Sequence, residues 1–347
     1  MQLELKTELP AKAAHYYNAF TGDILLSDAN RFYGECHGRK FSFRVPIPLL
    51  NWLSLPSQTM RRAARTNAAS AVFNFCGDGV VIAYQGCLFF YDILHDELHE
   101  TGHLKNCNCV LFGGISVSEN GIYIGEYGRN PGRLPVPVWI SRDEGRTWNM
   151  EYEFPAGSIR HIHGIYSDPI DNGLWIPTGD FEGECFLYQA KDCDFNSLLQ
   201  YGDGKQEWRH VGLFQRRASL VWVMDSELQT SYLQKFDKAS QTLSQGRAFP
   251  GPVWYVKSFS DNAGGLVQTT VEVGTGVHSQ SSHVFYSPDL ESWSEVSSFR
   301  KDWLPAKYFK SGVVGFAPGP QTTQDFLIFG EALCGMDGRV YSARLVE

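Results

Sequence analysis

One four-strand unit recurs along the whole chain, and this limits the fold more than any other feature. Each copy runs as an apolar strand, a short Gly or Asn turn and a second apolar strand ending in polar residues. A third, aromatic-rich strand, a charged hairpin and a fourth strand follow. The third strands align on Phe32, Leu88, Val138, Phe186, Tyr232, Val284 and Val340, spaced 46 to 56 residues apart. Four-stranded units of roughly 40–50 residues are the signature of a β-propeller. The third copy is the clearest. Val110-Leu111-Phe112 opens it, Gly121 to Ile124 is its second strand, Val136 to Ser141 its third and Arg146 to Phe154 its fourth. The last copy stops after its third strand, Val340 to Leu345, and Leu3-Glu4-Leu5-Lys6-Thr7 can supply the missing fourth. Such closure removes an edge that a sheet would otherwise have to guard. The expectation is an all-β chain forming a single seven-bladed propeller over 1–347. Six blades is the runner-up, because the first copy is poorly marked. Residues 49–65 break the pattern, with leucines and a basic cluster at helical spacing, and predict one inserted amphipathic helix on the rim.

Composition agrees with this reading and removes other classes. Hydrophobic residues are 43% and aromatics 14% of the 347 residues, enough for a packed core and too many for a disordered chain. The net charge of -8 and the lack of a basic run argue against nucleic-acid binding by charge. No apolar stretch reaches the about 18 residues of a membrane span. The first residues lack the basic start and apolar run of a signal peptide, so the chain as numbered reads as cytoplasmic. Eight cysteines are too sparse for a disulfide scaffold. Cys107-Asn108-Cys109 lacks a second ligand pair and reads as ordinary strand cysteines.

Ser141-Arg142-Asp143-Glu144-Gly145-Arg146-Thr147-Trp148 fits the pattern S-x-D-x-G-x-T-W, and Tyr286 to Trp293 carries a shorter copy. The pattern suits a hairpin: Asp caps its own turn, Gly takes a positive φ and Trp covers the apolar end. It resembles the Asp-box, or BNR repeat, of the sialidase-like propeller superfamily. That resemblance implies boxes on the hairpin between third and fourth strands, away from the active face, which makes Asp143 and Asp289 folding residues. Phe43-Arg44-Val45-Pro46 is similar to the early arginine motif of sialidases, yet falls late in the first unit, and no arginine triad can be placed. The resemblance therefore speaks for fold more than for chemistry.

Propeller topology locates a site without any motif. Starts of first strands and ends of second strands gather on one face near the axis, and loops on a rigid scaffold carry function. Polar residues collect there in units three to six: Glu126, Tyr127, Arg129, Arg160, His161, His163, Asp180, Gln206, Arg209, Asp225, Trp254 and Tyr255. His161 and His163, two apart on an extended segment, point to the same side. Glu126, Asp180 and Asp225 supply carboxylates of the kind glycosidic hydrolysis needs. His161, His163 and Tyr127 are acid–base candidates. Arg129, Arg160 and Arg209 suit a carboxylate or sulfate, and Trp254 and Tyr255 suit sugar rings. Together they point to an anionic carbohydrate, with uronic- or ulosonic-acid residues. No cofactor is required, although His161, His163, Asp180 and Gln206 form a ligand set if a divalent metal binds. Three readings stand: a glycoside hydrolase, a polysaccharide lyase using His and Tyr, and a non-catalytic glycan- or protein-binding propeller.

Overall fold

A computed structural model describes residues 1–347, the side chain of Leu50 excepted. Seven four-stranded antiparallel sheets follow one another along the chain, those of a seven-bladed β-propeller. The opening strand β1 (Gln2–Leu9) belongs to the last sheet. The first sheet holds β2 (Ala13–Tyr17), β3 (Ile24–Asp28), β4 (Arg31–Cys36) and β5 (Arg39–Arg44). The short helices α1 (Leu49–Trp52) and α2 (Gln58–Ala63) come next. The second sheet holds β6 (Ala69–Phe73), β7 (Gly79–Tyr84), β8 (Cys87–Asp92) and β9 (Glu97–His103). The third holds β10 (Ile115–Ser118), β11 (Gly121–Gly125), β12 (Val136–Ser141) and β13 (Asn149–Phe154), and the fourth β14 (Tyr166–Asp168), β15 (Gly173–Pro177), β16 (Cys185–Lys191) and β17 (Leu199–Gly204). The fifth holds β18 (Phe214–Gln215), β19 (Ser219–Val223), β20 (Ser231–Asp237) and β21 (Thr242–Phe249), and the sixth β22 (Val253–Ser258), β23 (Gly265–Thr269), β24 (Ser281–Ser287) and β25 (Ser294–Arg300). After α3 (Ala306–Phe309), the seventh joins β26 (Val313–Phe316), β27 (Phe326–Glu331) and β28 (Arg339–Val346) to β1. Every anchor residue read from the sequence lies on the third strand of its sheet.

The blades group into two compact units. One holds residues 68–211, with sheets two to four; the other holds residues 1–67 and 212–347, with sheets one, five, six and seven. In the first unit, Ile122, Ile124, Val81 and Phe90 pack between sheets two and three, and Val138, Ile162, Leu174 and Ile176 between sheets three and four. In the second, Val221, Val267 and Phe285 join sheets five and six, and Leu266, Val314 and Ile328 join sheets six and seven. In the third, fourth and fifth sheets the second strands β11, β15 and β19 are buried almost throughout, the pattern of strands covered on both faces.

Three local expectations are corrected. Residues 49–65 form two short helices rather than one. Ser57, just after Pro56, starts α2 as its N-cap and accepts from Met60 N at 3.5 Å. Arg62 of α2 is buried. Its guanidinium meets Asp302 at 2.5 Å and Asp337 at 3.1 Å, and donates to the Phe309 carbonyl at 2.8 Å. The third sheet begins at Ile115, not Val110, and Cys107 and Cys109 lie on the irregular run before it, Cys109 bridging to Tyr127. None of the eight cysteines, all among the described residues, is in a disulfide. Among the described residues, no helix is long and apolar enough to cross a membrane.

The β12–β13 hairpin follows the sequence reading. Asp143 Oδ1 accepts from Ser141 Oγ and Thr147 N, both at 2.8 Å, and its Oδ2 from Thr147 Oγ1 at 2.7 Å. Gly145 takes φ +98, and a Cβ there would come within 2.3 Å of Val81. Asp289 does the same in the β24–β25 hairpin, accepting from Glu291 N at 2.9 Å and Ser292 N at 2.7 Å.

Candidate functional site

The segment Arg160-His161-Ile162-His163 runs extended into β14 and is pinned on both sides by main-chain bonds. Ile162 N donates to Glu126 O at 3.0 Å, and His163 N to Pro177 O at 2.9 Å. Ile162 turns into the core between sheets three and four, beside Gly125, where a Cβ would come within 2.4 Å of it. Alternation then sends His161 and His163 to the opposite side, as the sequence implied. The β15 strand ends at Pro177, and the chain beyond it delivers Asp180 to the same place.

Asp180 is the centre of a buried polar cluster. Its Oδ2 accepts from Arg160 Nη1 at 2.6 Å. Its Oδ1 lies 3.3 Å from each of His161 Nε2, His163 Nε2 and Arg209 Nη2. The main-chain oxygen of Asp180 accepts from Gln206 Nε2 at 2.9 Å and Arg209 Nη1 at 3.1 Å. Burial opposes ionisation of this carboxyl, but His161, His163 and the Arg209 charge outweigh it, so Asp180 is held well below the usual carboxylate range. It stays an anion at neutral pH and does not serve as a proton donor there.

The imidazole tautomers follow from their other nitrogens. His161 Nδ1 lies 2.7 Å from Gly128 O and His163 Nδ1 2.7 Å from His210 O. A carbonyl only accepts, so both Nδ1 atoms carry hydrogen and both Nε2 atoms face Asp180. Tyr127, half-buried at the end of the second strand of sheet three, sets its ring 4.2 Å from that of His161, centroid to centroid. Phe181 packs under Arg160, 5.1 Å from the guanidinium carbon to the ring centroid. A narrow recess of about 10 Å³, lined by Asn106, Glu126, Gly128, Asn130, Pro135, Val136 and Arg160, adjoins the cluster.

The cluster therefore brings together His161, His163, Asp180, Arg160, Arg209, Gln206 and Tyr127. Arg129 is exposed at its edge, its carbonyl accepting from Arg160 Nε at 2.8 Å. Two expected roles change. Glu126 is buried with its carboxylate spent on folding: it accepts from Lys105 N, from Asn106 N at 2.7 Å and from the Trp139 indole at 3.0 Å. Gln206 holds the Asp180 backbone rather than standing as a ligand beside the imidazoles. Asp225, Trp254 and Tyr255 belong to the other compact unit, Asp225 buried just after β19 and the two aromatics half-buried on β22. Sequence reasoning missed His210, whose carbonyl orients His163, and Phe181. The first follows Arg209 directly and the second follows Asp180, so adjacency to a predicted site residue was their only signal.

No protein-family model matches the chain, and no curated protein does. Among solved structures, the chain is similar to one in the crystal structure of the mitotic checkpoint complex, with 8% identity over 99% of this chain and 95% of that one, at a TM-score of 0.61. A TolB structure from Agrobacterium tumefaciens aligns over 66% of this chain and 80% of that one, with 9% identity and a TM-score of 0.43. At such identity the first likeness is one of fold alone.

Proposed function

We propose that this chain is a carbohydrate-active enzyme that cleaves an acidic saccharide containing uronic- or ulosonic-acid residues. The observation that carries this reading is the convergence of two oriented imidazoles and two guanidiniums on the single carboxylate of Asp180. Such a centre is positively biased and partly closed to water, and it suits the carboxylate of an acidic sugar. The Ser141–Trp148 hairpin supports a carbohydrate substrate through its likeness to the sialidase-like Asp-box propellers.

Support moves from hydrolysis toward elimination. Hydrolysis asks for one protonated and one ionised carboxyl flanking the bond. Glu126 is committed to main-chain amides and the Trp139 indole and Asp180 is held ionised, so of the three candidate carboxyls only Asp225, which belongs to the other compact unit, is left as an acid. In elimination from a uronate, the proton on C5 leaves, the C4–O bond breaks, the electron pair forms the C4–C5 double bond, and the leaving oxygen takes a proton. Arg160, with Arg129 at the rim, would hold the sugar carboxylate and stabilise the charge that builds on it as C5 loses its proton. Tyr127, beside the imidazoles, is the side chain we assign to both proton transfers: its oxygen takes the C5 proton as its own hydroxyl proton passes to the leaving oxygen.

A panel of acidic oligo- and polysaccharides tests this. An elimination product gains an ultraviolet-absorbing unsaturated end, and a hydrolysis product gains only a reducing end. The expected result is the unsaturated product, with turnover falling at least about 100-fold in Tyr127→Phe and Arg160→Ala of unchanged thermal stability. A reducing end without unsaturation returns the assignment to a hydrolase. No product across the panel, with saccharide bound, makes this a binding propeller.

A further inference from the structure

We propose that His161 Nε2, His163 Nε2 and Asp180 Oδ1 are the protein ligands of one divalent transition-metal ion of the zinc class. Three features carry this. The ligand atoms lie within 4.8 Å of one another. Each imidazole is tied through Nδ1 to a main-chain carbonyl, Gly128 O or His210 O, which is the outer-shell bond that orients metal-binding histidines. Finally, His161 Nε2 is buried, aimed into the cluster and without a hydrogen-bond partner among the described residues.

The spacing separates a metal from a proton. Each Nε2 faces the carboxylate oxygen Oδ1, so a proton or a metal ion must sit between them. A proton would draw an imidazolium and a carboxylate to about 2.7–2.9 Å. The observed separations are longer, 3.3 Å for both rings; His163 keeps hydrogen-bonding geometry to Oδ1 and His161 does not. A metal bound at about 2.0–2.1 Å in a tetrahedron sets neighbouring ligand atoms about 3.3 Å apart. Each Nε2 already stands at that spacing from Oδ1. Arg160 takes the other carboxylate oxygen, Oδ2, which leaves Oδ1 to the two imidazoles and the edge of the Arg209 guanidinium. Two nitrogens and one carboxylate oxygen suit zinc and its neighbours and leave one position open. With two guanidiniums beside it, the loaded centre carries excess positive charge, so the open position favours an anionic oxygen. That the oxygen comes from a sugar carboxylate rests on the function proposed above; the ligand set does not.

Metal binding is read directly. The full chain, stripped with a chelator, is titrated with Zn²⁺ by equilibrium dialysis and with Co²⁺ by visible absorption. One equivalent of zinc and a four-coordinate cobalt spectrum are expected. His161→Ala and His163→Ala should each weaken zinc binding by more than about tenfold. His103→Ala should retain it, which excludes the separate surface cluster of Cys87, Glu100 and His103. No stoichiometric zinc in the wild-type chain, or zinc retained in both cluster variants, overturns the proposal. If the alanine variants fail to fold, the cobalt spectrum of the wild-type chain decides: bands of the hexa-aqua ion alone overturn it. Zinc bound without cleavage of any acidic saccharide overturns the proposed function and leaves the site. Cleavage by a chain that binds no zinc does the reverse.

Discussion

Lys257 of β22 shows what burial does to one charge. The side chain is 5% exposed and donates to Ala317 O at 2.9 Å and Gly319 O at 2.8 Å, with no carboxylate in the arrangement. Burial pushes its ammonium down to about 7. A neutral amine has two N–H donors, enough for both carbonyls. The unfolded chain, near its ordinary value of about 10.4, binds this proton across the window from about 7 to about 10, while the folded chain does not. Stability from this residue therefore rises with pH across that window, and below it the desolvation cost is fully present. Denaturant unfolding of wild type and Lys257→Met at pH 7 and pH 10 should show the wild type gaining on the order of 1–3 kcal/mol relative to the variant. Parallel pH dependence of the two would show the site to be wetter than its contacts imply. Glu126 makes a different point. Glu126→Ala strands two main-chain N–H groups and an indole, so a loss of about 3 kcal/mol in thermal unfolding is expected. Turnover measured well below the transition should survive better than in Tyr127→Phe; an equal loss would restore Glu126 to the chemistry.

Elements differ in how openly the sequence shows them. The third strands were legible because they combine aromatic and β-branched residues with a charged hairpin, and all seven anchors lie on them. First strands were not. β14 has three residues and β18 two, too short to carry a period of two. Their run-ins, such as 160–163, read as strand because they are pinned by main-chain bonds on both sides. That same pinning made His161 and His163 readable as a pair. The Glu126 partners were hidden: Lys105 and Asn106 contribute amides, which any residue has, from a loop twenty residues away. The Gly128 and His210 carbonyls were hidden for the same reason. The β12–β13 hairpin was fully legible, because its bonds are local and side-chain specific. Asp143→Ala removes the acceptor of three of them. Thermal unfolding should lose about 1–3 kcal/mol while any saccharide cleavage keeps its rate below the transition. A selective loss of activity with stability intact would mean that the hairpin serves the site after all.

At the scale of the whole chain, the two ends share one sheet. β1 pairs antiparallel with β28, from Gln2 opposite Val346 to Leu9 opposite Val340, with a register shift between Leu5 and Glu8. Leu3 and Leu5 pack against the core of sheets six and seven, and Glu4 meets Arg344 at 2.8 Å. The exposed ion pair adds little. The larger effect is on the edge. Without β1, the eight residues of β28 present an unpaired row of N–H and C=O groups, and such edges recruit strands from other chains. Deletion of residues 1–9 should therefore lower the thermal midpoint and produce concentration-dependent association in light scattering. The double variant Leu3→Asp, Leu5→Asp keeps the chain length and should do the same more weakly, because it removes the apolar contacts yet leaves backbone pairing available. Adding a synthetic peptide of residues 1–10 to the deleted chain should restore both properties, since the main-chain ladder does not depend on covalent connection. A deleted chain that stays monomeric with an unchanged midpoint would show that sheets six and seven hold β28 without its edge partner.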